Sequence, residues 1–263
     1  MPRVSVLMGI YNCAGTLQEA LDSLYAQTFQ DFEIILCEDG SSDNTYDIAL
    51  ANQQQHPDRI VLLRNEHNMG LNQTLNNCIA VARGDYFARM DGDDISLPER
   101  FETEVKFLDE HPQYAIVSTP MIYFDENGEF RRVRGGGEPK IKDLVKKTPH
   151  CHAPCMVRRE AYLKVGGYTV SPKLLRVEDY HLWYKMYLAG FRGYNLREPL
   201  YAMRDDRNAT ARRKMKFRIN GCRVKYMICR DFHLPLTAYI HILRPIAVGL
   251  LPTPIYNRLH RKK

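Results

Sequence analysis

The sequence predicts an α/β protein built on a Rossmann-like, doubly wound mixed sheet, with a helical basic appendage at its C-terminal end. Three observations carry that expectation. Over the first 110 residues, short apolar runs alternate with segments whose apolar residues recur at helical spacing, as strand-helix-strand units around a parallel sheet require. Hydrophobic residues make up 44% and charged residues 26% of the 263, ordinary globular usage that excludes disordered, collagen-like and coiled-coil classes. The charge is divided: thirteen Lys or Arg stand against the single acid Asp231 from Arg212 to Lys263, so a net +6 hides an acidic body and a +12 tail.

The first strand is 4–10, VSVLMGI, apolar as a strand buried on both faces must be. Residues 16–27 carry apolar side chains at 17, 20, 21 and 24, one face of a helix. A second strand, 32–37, ends in the turn Glu38-Asp39-Gly40-Ser41-Ser42-Asp43, and a helix over 44–55 and a strand over 60–63 follow. Leu71, Leu75, Cys78, Ile79 and Ala82 define a third helix, and 86–90 a fourth strand. Past Pro98 the pattern changes to a helix over 98–110, a strand over 115–124, a hairpin turn at Glu126-Asn127-Gly128 and a return strand over 130–133. Gly135-Gly136-Gly137 reads as a mobile hinge or loop, and helices are expected over 178–189 and 210–231.

The seven cysteines are odd in number and lack framework spacing, which reads as reduced thiols of a cytoplasmic protein. Met1-Pro2-Arg3 leads straight into a seven-residue run too short for a secretion signal. The apolar stretch 234–251 is broken by His241, Arg244 and Pro245 and falls short of the roughly 20 residues a spanning helix needs. No membrane crossing is expected.

In doubly wound sheets, ligands bind beyond the carboxyl ends of the strands, so Tyr11-Asn12, Glu38-Asp39-Gly40 and Asp91-Gly92-Asp93-Asp94 should converge on one crevice. An aromatic, a carboxylate and a carboxylate cluster suit stacking on a base, accepting a base N–H and holding a cation. Taken singly, Tyr11 and Asp39 read equally well as turn residues. In an extended chain Asp91 and Asp93 point to the same side, and paired carboxylates are costly unless a cation neutralises them. Mg²⁺ or Mn²⁺ fits such oxygen donors, whereas Asp94 also reads as a helix cap. No phosphate-binding lysine loop and no Gly-x-Gly-x-x-Gly follows a predicted strand, which leaves nucleotide hydrolysis of that type and hydride transfer unsupported.

A second acidic pair, Glu178-Asp179, opens a helix whose dipole favours ionised carboxylates, which makes Asp179 a candidate base or a simple N-cap. His150, Cys151, His152 and Cys155 have zinc-ligand types without a closed-site spacing. Trp183, the single tryptophan, divides between core and sugar platform. The basic tail reads as a surface lying on an anionic membrane, ahead of an oligomer contact or solvated face and of nucleic-acid binding, for which no reading module is present.

Together these residues resemble family 2 glycosyltransferases of the GT-A fold: VSVLMGIYN at 4–12, EDGSSDNT at 38–45, NMGL at 68–71, MDGDD at 90–94, GGY at 166–168 and VEDYHLW at 177–183, in the family's order, over residues 1 to about 210. The resemblance implies a catalytic domain over 1–211, with a nucleotide-binding half at 1–97 and an acceptor half at 98–211; the tail at 212–263 is expected from its own charge and apolar residues to be peripheral on the inner face of the cell membrane. It implies inverting transfer from a nucleotide diphosphate sugar, UDP above all, to a glycan or lipid-linked hydroxyl. On this reading Ile10, Tyr11, Asp39, Asn68, Asn76, Asp91 and Gly92 bind the nucleotide, and Asp91 and Asp93 bind Mn²⁺ or Mg²⁺. Asp179 is then the base, with His152, Glu178 and Trp183 on the acceptor side.

Two departures stand out. Leu75-Asn76 replaces the Arg-Asn pair that relatives often carry, and Met203-Arg204-Asp205-Asp206 stands where many have Tyr-Arg-x-His, so that Asp206 is a candidate substitute oxygen ligand. A nucleotidyltransferase of similar fold, or a catalytically silent nucleotide-sugar-binding protein, remains the alternative.

Overall fold

The computed structural model describes residues 1–133, 135–205 and 214–249. It opens with β1 (Val4–Ile10), α1 (Leu17–Tyr25), β2 (Phe32–Glu38), α2 (Thr45–Gln55), β3 (Ile60–Arg64), α3 (Leu71–Val81) and β4 (Tyr86–Arg89). These seven elements follow the sequence expectation in order and type, since each apolar run is bounded by turn residues. The chain continues through β5 (Ile95–Ser96), α4 (Arg100–Glu110), β6 (Ile116–Ser118), β7 (Met121–Asp125), β8 (Gly128–Arg132) and α5 (Ile141–Leu144). β9 (Cys155–Arg158), α6 (Arg159–Val165), α7 (Glu178–Leu188), β10 (Gly193–Asn195), β11 (Tyr201–Arg204), α8 (Met215–Asp231) and α9 (Ile240–Gly249) complete it.

The central sheet has the order β10-β6-β9-β4-β1-β2-β3. β1 pairs in parallel with β2 and β4, and β9 runs antiparallel between β4 and β6, which makes the sheet mixed. Alternate residues of β1 face opposite layers, as the pleat requires. Val6 and Met8 pack with Leu17, Leu21 and Leu24 of α1 and Phe101 of α4, while Leu7 packs with Leu75 of α3, Tyr162 of α6 and Leu182 of α7. A smaller sheet of order β5-β11-β7-β8 lies beside the ends of β1 and β4 and carries one wall of the site.

The structure corrects three expectations. The run 115–124 is two strands in different sheets: it breaks at Thr119-Pro120, where proline has no N–H to give a ladder. Gly137 is fastened rather than hinge-like, exchanging two backbone hydrogen bonds with Asn195 at 2.7 and 3.0 Å. The basic helix starts at Met215, and it buries Val224, Ile228 and Cys229 in the same core cluster as Trp183. Helix α9 packs along α8, with the Cys222 thiol 2.9 Å from the Ile242 carbonyl. Among the described residues no helix is long and apolar enough to cross a membrane. Asp206 and residues 250–263 lie outside them.

Candidate active site

The carboxyl ends of β1, β2 and β4 meet in a crevice whose walls approach closely because glycine occupies the contacts. A Cβ on Gly92 would lie 2.8 Å from the Cys13 sulfur, and one on Gly40, at φ +71°, would lie 2.7 Å from the Asn68 nitrogen. The loop after β1 docks on the turn after β2. Asn12, at φ +48°, accepts from the Ser42 N–H at 2.9 Å and donates its own N–H to Ser41 Oγ at 3.0 Å. This leaves Tyr11 half-exposed (49%), and Asn68, exposed, lies against Gly40 of the turn after β2. Ile10 is a core side chain whose carbonyl accepts from the Asp39 N–H.

Asp39 is buried, and its carboxylate organises the crevice. Oδ1 accepts from Asn65 Nδ2 at 2.8 Å and from the Met69 N–H at 2.7 Å, and Oδ2 accepts from the Gly70 N–H at 3.0 Å, at the start of α3. A carboxylate has about four acceptor positions, so one remains open for a ligand N–H.

Carboxylate oxygens of Asp91, Asp93 and Asp94 lie within 4.8 Å of one another. Asp94 is already committed: Oδ2 accepts from the Tyr201 hydroxyl and Oδ1 from the Arg204 N–H, each at 2.9 Å. The Tyr201 hydroxyl in turn accepts from the Asp91 N–H, and Arg204 reaches both the Asp93 carbonyl and Glu19, so β11 clamps the acidic loop. Desolvation and then the Asp91 charge push Asp93 upward, against a smaller opposing pull from Arg89. Two hard-oxygen donors, Asp91 and Asp93, whose charges are incompletely compensated, fit a divalent cation such as Mg²⁺ or Mn²⁺. The third acid serves to position the loop.

Sequence reasoning missed Arg89. It is 3% exposed, ion-pairs with Asp91, and has a buried Nε with no partner among the described residues. Burial alone would lower its pKa, and the Asp91 carboxylate reverses that. Its charge acts on Asp93, Asp179 and His152 alike. The available signal was an arginine inside an otherwise apolar strand run.

Asp179 stands in the first turn of α7, partly accessible. Desolvation, and then the neighbouring Glu178, push its pKa up to about 6, while the Tyr180 N–H and Arg89 pull the other way. A carboxylate poised there is ionised at neutral pH yet basic enough to accept a proton. His152 has Nε2 2.7 Å from the Tyr168 hydroxyl, and burial and the Arg89 charge hold it neutral. Glu178 lies at the same helix start.

Two expected ligands belong to the scaffold instead. Trp183 is fully buried, edge-on to His150 and His152, and supports the acceptor wall from behind without a surface of its own. Asn76 has both amide groups engaged with the backbone of Tyr168, each at 2.8 Å, which pins the Gly166-Gly167 turn to α3. The His150-Cys151-His152-Cys155 group does not assemble a metal site: His150 bonds Asn195 and Tyr187, His152 bonds Tyr168, and burial raises both thiols.

A family model described as Glycosyl transferase family 2 matches residues 5–166. The chain is 42% identical over 266 residues to a protein named glycosyltransferase EpsE from Bacillus subtilis strain 168, an alignment covering all of this chain and 94% of that one. It is 28% identical over 273 residues to the Escherichia coli UDP-Gal:α-D-GlcNAc-diphosphoundecaprenol β-1,3-galactosyltransferase, covering 99% and 96% of the two. The fold is similar to the crystal structure of S. aureus TarS 1–349 in complex with UDP-GlcNAc, with a TM-score of 0.69, 20% identity, and coverage of 94% of this chain and 71% of that one.

Proposed function

Given that the chain belongs to glycosyl transferase family 2 and is a glycosyltransferase with the GT-A fold, we propose that it transfers a sugar from a UDP-sugar to a hydroxyl of a lipid-linked glycan, inverting the anomeric centre. The observation that carries this reading is the Asp91-Asp93 pair together with Asp179, poised near pH 6, with the Arg89 charge acting on both Asp93 and Asp179.

The uracil would stack on Tyr11 and give its N–H to the open position on Asp39. Asp91 and Asp93 would hold Mn²⁺ or Mg²⁺, which neutralises the departing diphosphate. Asp179 would take the proton of the acceptor hydroxyl as that oxygen bonds to the anomeric carbon and the bond from carbon to phosphate oxygen breaks. A single in-line displacement needs one base and no protein nucleophile. His152, kept neutral, would offer a hydrogen bond to the acceptor sugar beside Asp179. The acceptor class is supported by the substrate in the name of the Escherichia coli relative, and it would be met at the inner face of the membrane, where the basic C-terminal segment faces anionic lipid.

The test is release of UDP from a panel of UDP-sugars incubated with Mn²⁺ and a diphospholipid-linked N-acetylhexosamine. Acceptor-dependent release with at least one donor is expected. Nucleotide binding without release under every pairing would leave only the silent binding protein.

A further inference from the structure

A cavity of about 410 Å³ lies between the segment following Gly136 and the C-terminal helix α9; Glu138, Asp143, Lys146, Lys147, Asn195 and Arg244 are among its lining residues. The acids in that lining are already matched. Glu138 pairs with Arg192 and accepts from Tyr114, and Asp143 pairs with Lys146 at 2.9 Å. Lys147 and Arg244 have no carboxylate partner among the described residues. Lys225 lies close enough to Arg244 for that charge to depress its pKa, to about 8, after the larger effect of burial, and its ammonium finds only the carbonyls of Val145 and Lys146. Lys147 and Arg244 thus line one cavity with no carboxylate opposite them, and Lys225 lies within reach of the Arg244 charge, a basic lining that suits an anion.

Two placements identify the anion. Asn195, in the lining, bonds His150 Nδ1 at 2.8 Å, and the His150 ring meets Trp183 edge-on, on the helix that Glu178 and Asp179 open, so the cavity adjoins the acceptor side of the site. Arg244 is carried by α9, and the same C-terminal segment exposes Leu236, Ile240 and Leu243, at 86%, 72% and 63%. A polyvalent anion beside an apolar strip is the chemistry of an amphiphile's head and chain.

We propose that this cavity binds the diphosphate of the lipid-linked acceptor, through Lys147 and Arg244, with the isoprenoid chain lying along Leu236, Ile240 and Leu243. The proposal rests on the lipid-linked reading above and names where that acceptor is held. Charge-assisted contacts from two sides would fix the diphosphate, and with it the sugar hydroxyl, relative to Asp179.

The experiment is calorimetry with farnesyl diphosphate on the full chain in EDTA, so that the Asp91-Asp93 pair contributes no metal-dependent binding. Lys147→Gln/Arg244→Gln changes two exposed side chains and should weaken binding at least tenfold, while UDP affinity in Mn²⁺ stays within twofold, showing an intact fold. Farnesol should bind far more weakly than the diphosphate. A Kd within twofold of wild type in the double variant would overturn the proposal. So would inorganic pyrophosphate binding as tightly as farnesyl diphosphate, which would make the cavity a free-phosphate site. Equal displacement by phosphatidylglycerol vesicles would also overturn it, since general membrane charge would then be the occupant. Because none of these titrations needs turnover, loss of farnesyl diphosphate binding in the variant together with failed UDP release would sink the transfer reading and leave the cavity assignment standing.

Discussion

Asp179 offers the sharpest quantitative handle on the mechanism. With its pKa at about 6, roughly nine-tenths of the protein carries the carboxylate at pH 7 and roughly one-tenth at pH 5, so kcat should fall about tenfold between them and approach tenfold per unit below. The sign follows from the base being active when ionised: the rate rises with pH and levels above about 7. Glu178 is the nearest like charge among the causes of the shift, so Glu178→Gln makes ionisation easier and should move the acid limb to lower pH with the plateau preserved. Asp179→Asn keeps the shape, cannot take a proton, and should lower kcat by roughly 10²-fold or more with UDP affinity retained. The assay is steady-state UDP release from pH 4.5 to 8.5, with circular dichroism at each pH to exclude unfolding. An acid limb unmoved by Glu178→Gln, or Asp179→Asn turning over within threefold of wild type, would refute the assignment of the base.

Calorimetric UDP binding should strengthen at least tenfold with Mn²⁺ or Mg²⁺ in the wild type and lose that enhancement in Asp93→Asn; equal affinity with and without metal would remove the acidic pair from the site. Asn76→Ala strips two hydrogen bonds from the buried backbone of Tyr168 and should cost about 2–4 kcal/mol, or a Tm lower by about 5–12 °C, measurable by scanning calorimetry. Leu236→Glu/Ile240→Glu/Leu243→Glu alters only exposed side chains; it should abolish flotation with anionic vesicles, which in the wild type weakens with added NaCl, and leave UDP binding unchanged.

The parallel half of the fold was readable because its strands are buried on both faces and its helices are amphipathic, so period and apolarity agreed for β1 to β4. The second half was harder for identifiable reasons. β5, β10 and β11 are two to four residues long, below the length at which a period can be seen. The continuous run 115–124 hid a switch between sheets that only Pro120 betrayed. At the site, the acidic residues and Asp179 announced themselves by type and position, and the carboxylates of Asp91, Asp93 and Asp94 cluster. Trp183 and Asn76 were placed by chemical type, whereas burial and backbone pairing decided their places. Arg89 and Tyr201 carry much of the site's organisation through contacts that span the fold, such as Tyr201 to Asp94, and no local pattern reports those.

The central claim, a single displacement driven by Asp179 at a metal-held UDP-sugar, is tested most directly by the anomeric configuration of the product. Transfer from an α-linked UDP-sugar, followed by proton NMR of the new glycosidic linkage before any hydrolysis, should give the β-anomer alone. An α-linked product would mean net retention, which a single in-line displacement cannot give, and would contradict the account.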